Sequence, residues 1–176
     1  MQPLILSLAL DAAAQAFFDR LRQLHFPPER NFLKAHLTLF HHLPPEEESI
    51  ISLIQAVCAQ HSPMPLQVQA VVSIGKGVAY KIECPPLQQL HAFLQRQFKL
   101  WLLPQDVQKL WPHITVQNKV DPATAKILQQ QLAQSFTPFE AWGTGLTLWV
   151  YEGGPWRWLQ TFPFAGAEKA QTAPSA

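Results

Sequence analysis

Charge is scarce in this sequence. Only 14% of its 176 residues are Asp, Glu, Lys or Arg, and the net charge is +1. A long nucleic-acid footprint needs many phosphate-neutralising cations, so this balance excludes an extended electrostatic binder. It leaves room for a small anionic ligand or a nucleic-acid end. Cysteine is scarce too. Cys58 and Cys84 form neither a CxxC pair nor a zinc spacing, and two cysteines do not make a disulfide scaffold. Apolar runs are short. The opening MQPLILSLALD has no basic leader, and its apolar stretch is shorter than a signal-peptide core or a membrane span. These absences predict a soluble, cytoplasmic, monomeric protein with no membrane partner and no protein partner implied. What is abundant is hydrophobic side chain, at 48% of residues. That supplies a sizeable core for one domain of two half-sized lobes.

The pattern along the chain alternates helix and strand. PLILSLAL reads as a buried strand, and Asp11 can cap a helix that places Ala14, Phe17, Phe18, Leu21 and Leu24 on one stripe. A strand follows through KAHLTLFHH, then a helix after PPEEE carrying Ile50, Leu53, Ile54 and Val57. Two strands are joined at Gly75-Lys76-Gly77, which reads as a hairpin turn rather than a phosphate loop because no helix opens there. A helix with Leu87, Leu90, Leu94 and Phe98 precedes a strand through PHITVQ. Asp121 and Pro122 then start a fourth helix, and a hairpin turns near Gly153-Gly154. The small-residue segment 166–176 is expected to be a disordered tail, with the domain over 1–165. Helix, histidine strand, helix, strands: the order occurs twice, so the two halves predict a pseudo-twofold arrangement.

Strand residues two apart share a face. His36 and Thr38 therefore point one way and Leu37 and Leu39 the other. His113 and Thr115 likewise oppose Ile114 and Val116. Each segment pairs an apolar side for a core with an imidazole and a hydroxyl for something polar. A histidine on a half-buried strand is by itself an ordinary hydrogen-bonded residue. Two matched HxT strands in duplicated surroundings are a stronger signal.

Two HxT motifs on strands in this element order resemble the 2H phosphoesterase superfamily, whose best-known branch comprises 2′-5′ RNA ligases and RNA 2′,3′-cyclic phosphodiesterases. The resemblance runs from LILSLALD to WLQTFPF. It implies an α+β, bilobal pseudo-twofold fold, with two mainly antiparallel sheets lining a central cleft and helices outside. It implies His36 and His113 as catalytic residues, Thr38 and Thr115 as phosphate-binding residues, no cofactor and no metal. Its substrates would be RNA ends with 2′,3′-cyclic phosphates, cyclic nucleotides or 2′-5′ linkages, with ligation as the reverse reaction. It also implies His36 as proton donor and His113 as acceptor in hydrolysis. One position departs: the cyclic phosphodiesterase branch commonly carries arginine five residues after the second histidine, where this chain has Asn118. Lys34 and Lys119 share strand parity with the two motifs and are candidates for the missing charge.

The side chains suit the chemistry. Cleaving a phosphodiester takes a proton from the attacking oxygen and gives one to the leaving oxygen. Histidine titrates near neutrality, so a pair can supply both roles at one pH. Threonine hydroxyls can donate to the non-bridging oxygens. Two other readings stand beside this one. The chain could bind nucleotides without turning them over, or His36, His41 and His42 could hold a metal, although adjacent histidines diverge on a strand. His25, His61 and His91 fall on or at the ends of predicted helices and are expected at the surface. Trp149, Tyr151, Trp156 and Trp158 either fill a core or form a wall on which a base stacks.

Overall fold

The computed structural model describes residues 2–166, so most of the expected tail lies outside the described residues. Seven strands and four α-helices follow the order β1 (Leu4–Leu10), α1 (Ala12–His25), β2 (Leu37–Leu43), α2 (Glu48–Gln60), β3 (Met64–Ser73), β4 (Val78–Glu83), α3 (Pro85–Phe98), β5 (His113–Gln117), α4 (Pro122–Ser135), β6 (Phe139–Tyr151) and β7 (Trp156–Pro163). Caps start α1 and α4 where the sequence indicates. The Asp11 and Asp121 carboxylates accept from Ala14 N and Thr124 N, each at 2.9 Å, satisfying donors the helix leaves free.

All strand pairings are antiparallel, in the order β2-β1-β6-β3-β4-β5, with β7 also paired to β6. The α+β class stands. The two expected sheets, however, are joined into one, and the cause is the length of β6. One of its edges pairs with β1. On the other edge its first residues pair with β3 and its later residues with β7. A 13-residue strand is long enough to belong to both halves. Among the described residues no helix is long and apolar enough to cross a membrane.

The face alternation that the sequence implies is present. Leu37, Ile114 and Val116 are fully buried and Leu39 nearly so, whereas His36, Thr38, His113 and Thr115 are half-buried. Two local features modify it. His36 immediately precedes β2 rather than lying inside it. A bulge also follows Thr38: Ser7 pairs with Thr38 but Leu6 pairs with Phe40, which leaves Leu39 as an extra residue. A bulge of this kind re-aims the side chains beyond it, and both Leu39 and Phe40 are buried.

Helix α1 departs from the expected stripe. Leu24 is 64% exposed, and the buried positions are Ala14, Phe18 and Arg22, each four residues apart. Arg22 is 4% exposed and fully used. Its Nε donates to Asn31 Oδ1 at 2.9 Å and to the Leu33 carbonyl at 3.0 Å, and Nη1 donates to the Thr115 carbonyl at 3.1 Å. Its guanidinium lies 3.9 Å from the Phe26 ring centroid. Burial lowers its pKa to about 10, partly offset by Asp19, so it stays charged at neutral pH. Replacing Arg22 by Ala leaves these carbonyls unpaired and should cost about 3 kcal/mol in urea denaturation. Arg22→Lys should recover less than half of that, since one ammonium cannot reproduce the planar fork.

Candidate active site

The ends of β2 and β5 meet at a cavity of about 280 Å³ lined by His36, Thr38, His113 and Thr115 together. The surroundings of the two histidines match. His36 Nδ1 lies 2.8 Å from the Lys34 carbonyl, and His113 Nδ1 lies 2.8 Å from the Trp111 carbonyl. A carbonyl only accepts, so Nδ1 carries the hydrogen in both rings. Each Nε2 is then the atom free to take or give a proton. An indole also flanks each ring. Trp111 stacks on His113 with centroids 4.4 Å apart and planes at 26°, and Trp156 sits 4.5 Å from His36 at 46°.

These enclosures set the electrostatics. Burial pushes the His36 pKa down to about 4; the Lys34 carbonyl opposes this, and Arg22, His113 and His41 reinforce it. His113 is likewise lowered by burial, opposed by the Trp111 carbonyl and aided by His41. Both imidazoles are therefore neutral at pH 7 in the free protein.

The remaining cavity wall holds residues that sequence reasoning passed over. Asp106, 3% exposed, accepts from His41 Nδ1 at 2.9 Å and from the backbone N–H groups of His41 and His42 at 3.0 Å. Burial alone would raise the Asp106 pKa, but these hydrogen bonds outweigh it and hold the carboxyl below its usual range. His41 lines the cavity and His42 does not, although strict alternation from His36 would favour His42. The bulge after Thr38 is the physical reason. Gln105, Gln108 and Lys109, from the loop before β5, complete the polar lining. Among the described residues no group of three or more His, Cys, Asp or Glu is placed to hold a metal ion.

The other candidates are distributed around this cavity. Lys119, Asn118 and Tyr151 line a second cavity that also touches His36 and Thr115. Lys34, Trp149 and Trp156 line a third, beside His36. The core-filling reading of the C-terminal aromatics is corrected: Trp158 is 59% and Tyr151 38% exposed, and Trp149 and Trp156 are half-buried. Trp149 and Tyr151 lie on β6 and Trp156 and Trp158 on β7, and among the described residues β7 pairs only with β6. Trp149 Nε1 donates to Ser7 Oγ at 2.8 Å. The surface reading of His91 is also corrected. It is 3% exposed, with Nε2 3.0 Å from the Leu39 carbonyl and its ring stacked on Phe40, because it lies on the side of α3 that meets β2, where Phe98 also contacts Phe40.

The lowered histidine pKa values fix a pH dependence of stability. Between pH 6.5 and about 4 the unfolded chain binds a proton at position 36 that the folded chain refuses, so stability falls as pH falls through this window. Chemical denaturation across pH 4–7 should show that slope, and His36→Gln should flatten part of it.

Comparison with known proteins adds to this geometry. Residues 10–155 match the 2′-5′ RNA ligase superfamily. No curated protein matches the chain. Among solved structures, the protein TT0787 of Thermus thermophilus superposes with a TM-score of 0.65 at 17% identity, covering 93% of this chain and 98% of its own. A structure described as a phosphoesterase gives 0.62 at 21% identity, with the same coverages. LigT of E. coli complexed with NADP+ gives 0.59 at 21% identity, again over 93% and 98%. These likenesses are of fold.

Proposed function

The chain belongs to the 2′-5′ RNA ligase superfamily, and from that premise we propose that it is a phosphodiesterase of the 2H type. Its substrates are 2′,3′-cyclic phosphate RNA ends, cyclic nucleotides or 2′-5′ linkages. The observation that carries the reading is the matched pair of histidines in one cavity, each anchored through Nδ1 with Nε2 left for proton transfer. In hydrolysis of a cyclic phosphate, Nε2 of His113 takes the proton of the attacking water as its oxygen bonds to phosphorus. Nε2 of His36 gives a proton to the leaving ribose oxygen as the P–O bond breaks. Cleavage of a 2′-5′ linkage exchanges the roles: Nε2 of His36 takes the proton of the attacking 3′-hydroxyl, and Nε2 of His113 gives one to the leaving 5′-oxygen. The reverse of that step, attack of a 5′-hydroxyl on the cyclic phosphate with loss of the 3′-oxygen, is ligation. Thr38 and Thr115 donate to the non-bridging oxygens.

The acid must arrive protonated, yet both rings are neutral in the free site. The substrate's own charge resolves this. An anion seated between the imidazoles favours the charged form of the nearer ring and raises its pKa. Lys109 and His41, with His41 held by Asp106, are the cationic or donor groups of the same cavity. They offset phosphate charge there, while Lys34 and Lys119 serve the neighbouring cavities. Trp156 and Trp149 offer faces for a base, a contact typically worth about 1–3 kcal/mol.

The test is a panel of 2′,3′-cyclic nucleotides and 2′-5′ dinucleotides, assayed in EDTA with product identification. Turnover should survive the chelator, and His36→Ala and His113→Ala should each lose about 10²–10⁴-fold or more. The double variant should be little worse than either single one, because both act in one step. Near-wild-type rates in either single variant would exclude the assignment.

A second expectation concerns pH. The kcat/KM profile reports the free enzyme's essential groups, and both lie below 6.5. Its maximum should therefore fall below pH 6.5, with kcat displaced to higher pH once the anion is bound. A kcat/KM optimum about one unit or more above that value would contradict this pairing of acid and base.

A further inference from the structure

We propose that the second cavity is a subsite for another phosphate of the substrate, next to the one being cleaved. It encloses about 390 Å³ and shares His36 and Thr115 with the first cavity, so a ligand can extend from one to the other across those side chains. Arg22, Arg30 and Lys119 line it, and among the described residues no carboxylate does. In a chain with only 13 Lys and Arg, three in one cavity is a concentration of positive charge. Arg22 is occupied by backbone carbonyls, but Arg30 and Lys119 are exposed and pair with no carboxylate among the described residues.

The backbone at Lys119 supports the same reading. It is the one non-glycine residue with positive φ among the described residues, at 63°. A bulky side chain rarely adopts that conformation, and such strain persists where surrounding contacts enforce it. Here Lys119 N donates to Asn118 Oδ1 at 2.7 Å, and Val120 N donates to the Lys76 carbonyl at 3.1 Å. The turn after β5 thus holds an ammonium-bearing side chain in a conformation that Gly or Asn would adopt more readily. Tyr151, 38% exposed, adds an aromatic face to the rim.

The inference rests on the phosphoesterase reading and narrows its substrate. A cyclic mononucleotide leaves the second cavity empty. A substrate with a second phosphate fills both, and that phosphate comes either from the next internucleotide linkage of an RNA strand or from a 5′-diphosphate on the same nucleotide.

Equilibrium binding tests this without turnover. Three probes are titrated at low salt: adenosine 2′-phosphate, a dinucleotide ending in that phosphate, and adenosine 2′-phosphate carrying a 5′-diphosphate. The wild-type protein should bind at least one two-phosphate probe about tenfold more tightly than the mononucleotide, a gain of roughly one charge-assisted contact. Gain with the dinucleotide alone assigns the site to a strand, and gain with the diphosphate alone to a nucleotide. Arg30→Gln and Lys119→Asn should each reduce the gain to about two- to threefold and lessen its salt dependence. Asn tolerates the positive φ, so Lys119→Asn removes charge without adding strain. Equal affinity for all three probes, or a gain unaltered by both substitutions, would overturn the subsite. Binding preference without turnover of any cyclic phosphate would instead retain the subsite and refute the phosphoesterase reading.

Discussion

Arg22 ties both histidine segments to one helix. Its Nε holds the Leu33 carbonyl, three residues before His36, and its Nη1 holds the Thr115 carbonyl, two residues after His113. Helix α1 thereby fixes the entry to β2 against the middle of β5, although the two strands lie at opposite ends of the sheet order. The arrangement works because a guanidinium presents several donors in a rigid plane and stays charged even with its pKa lowered to about 10. An apolar side chain would leave the half-buried Leu33 and Thr115 carbonyls without these donors, and an ammonium would serve them less well. The same cation disfavours protonation of His36, so the group that sets the separation of the two segments also tunes one of them.

The second constraint is the repeated local device at each histidine. In both halves the carbonyl two residues upstream fixes Nδ1, and a tryptophan covers the ring. The tryptophans come from different places: Trp111 precedes its histidine by two residues, whereas Trp156 arrives from β7. Pseudo-symmetry is therefore a matter of geometry at the ring, reached by different chain routes. That explains why the letters of the two halves hardly repeat while the order of elements does.

How much of this was legible in the sequence follows from the range of each interaction. Alternation along HLTL and HITV is local, and it separated the buried side from the cleft-facing side correctly. Helix caps at Asp11 and Asp121 are local as well. Arg22 was passed over because a charged residue on an apolar stripe reads as solvated until its partners, up to 93 residues away, are known. Its spacing of four from Phe18 was the available signal. His41 was obscured by a bulge, which depends on pairing with β1 and shifts strand parity by one residue. Asp106 and Lys109 lie in a loop without periodicity, so nothing in their own neighbourhood pointed to the cavity. The joining of two sheets into one depended on which edges of β6 its neighbours occupy, and no strand carries that information alone.

The electrostatics of the free site lead to one further step. Both imidazoles are disfavoured as cations, and the largest cause in each is loss of water rather than a fixed charge. A site tuned mainly by desolvation responds strongly to whatever charge enters it, because little solvent remains to screen the interaction. In the proposed phosphodiesterase, entry of a phosphate would supply the opposite charge that a proton on one ring needs, while the other ring would remain a base. On that proposal, substrate binding and formation of the acid–base pair would be a single linked event that takes up a proton. A neutral ligand of similar shape would bind to two neutral rings and create no acid. On the proposed phosphodiesterase reading, selectivity for an anion is built into the acid–base step, in a chain whose overall charge of +1 does little to attract one.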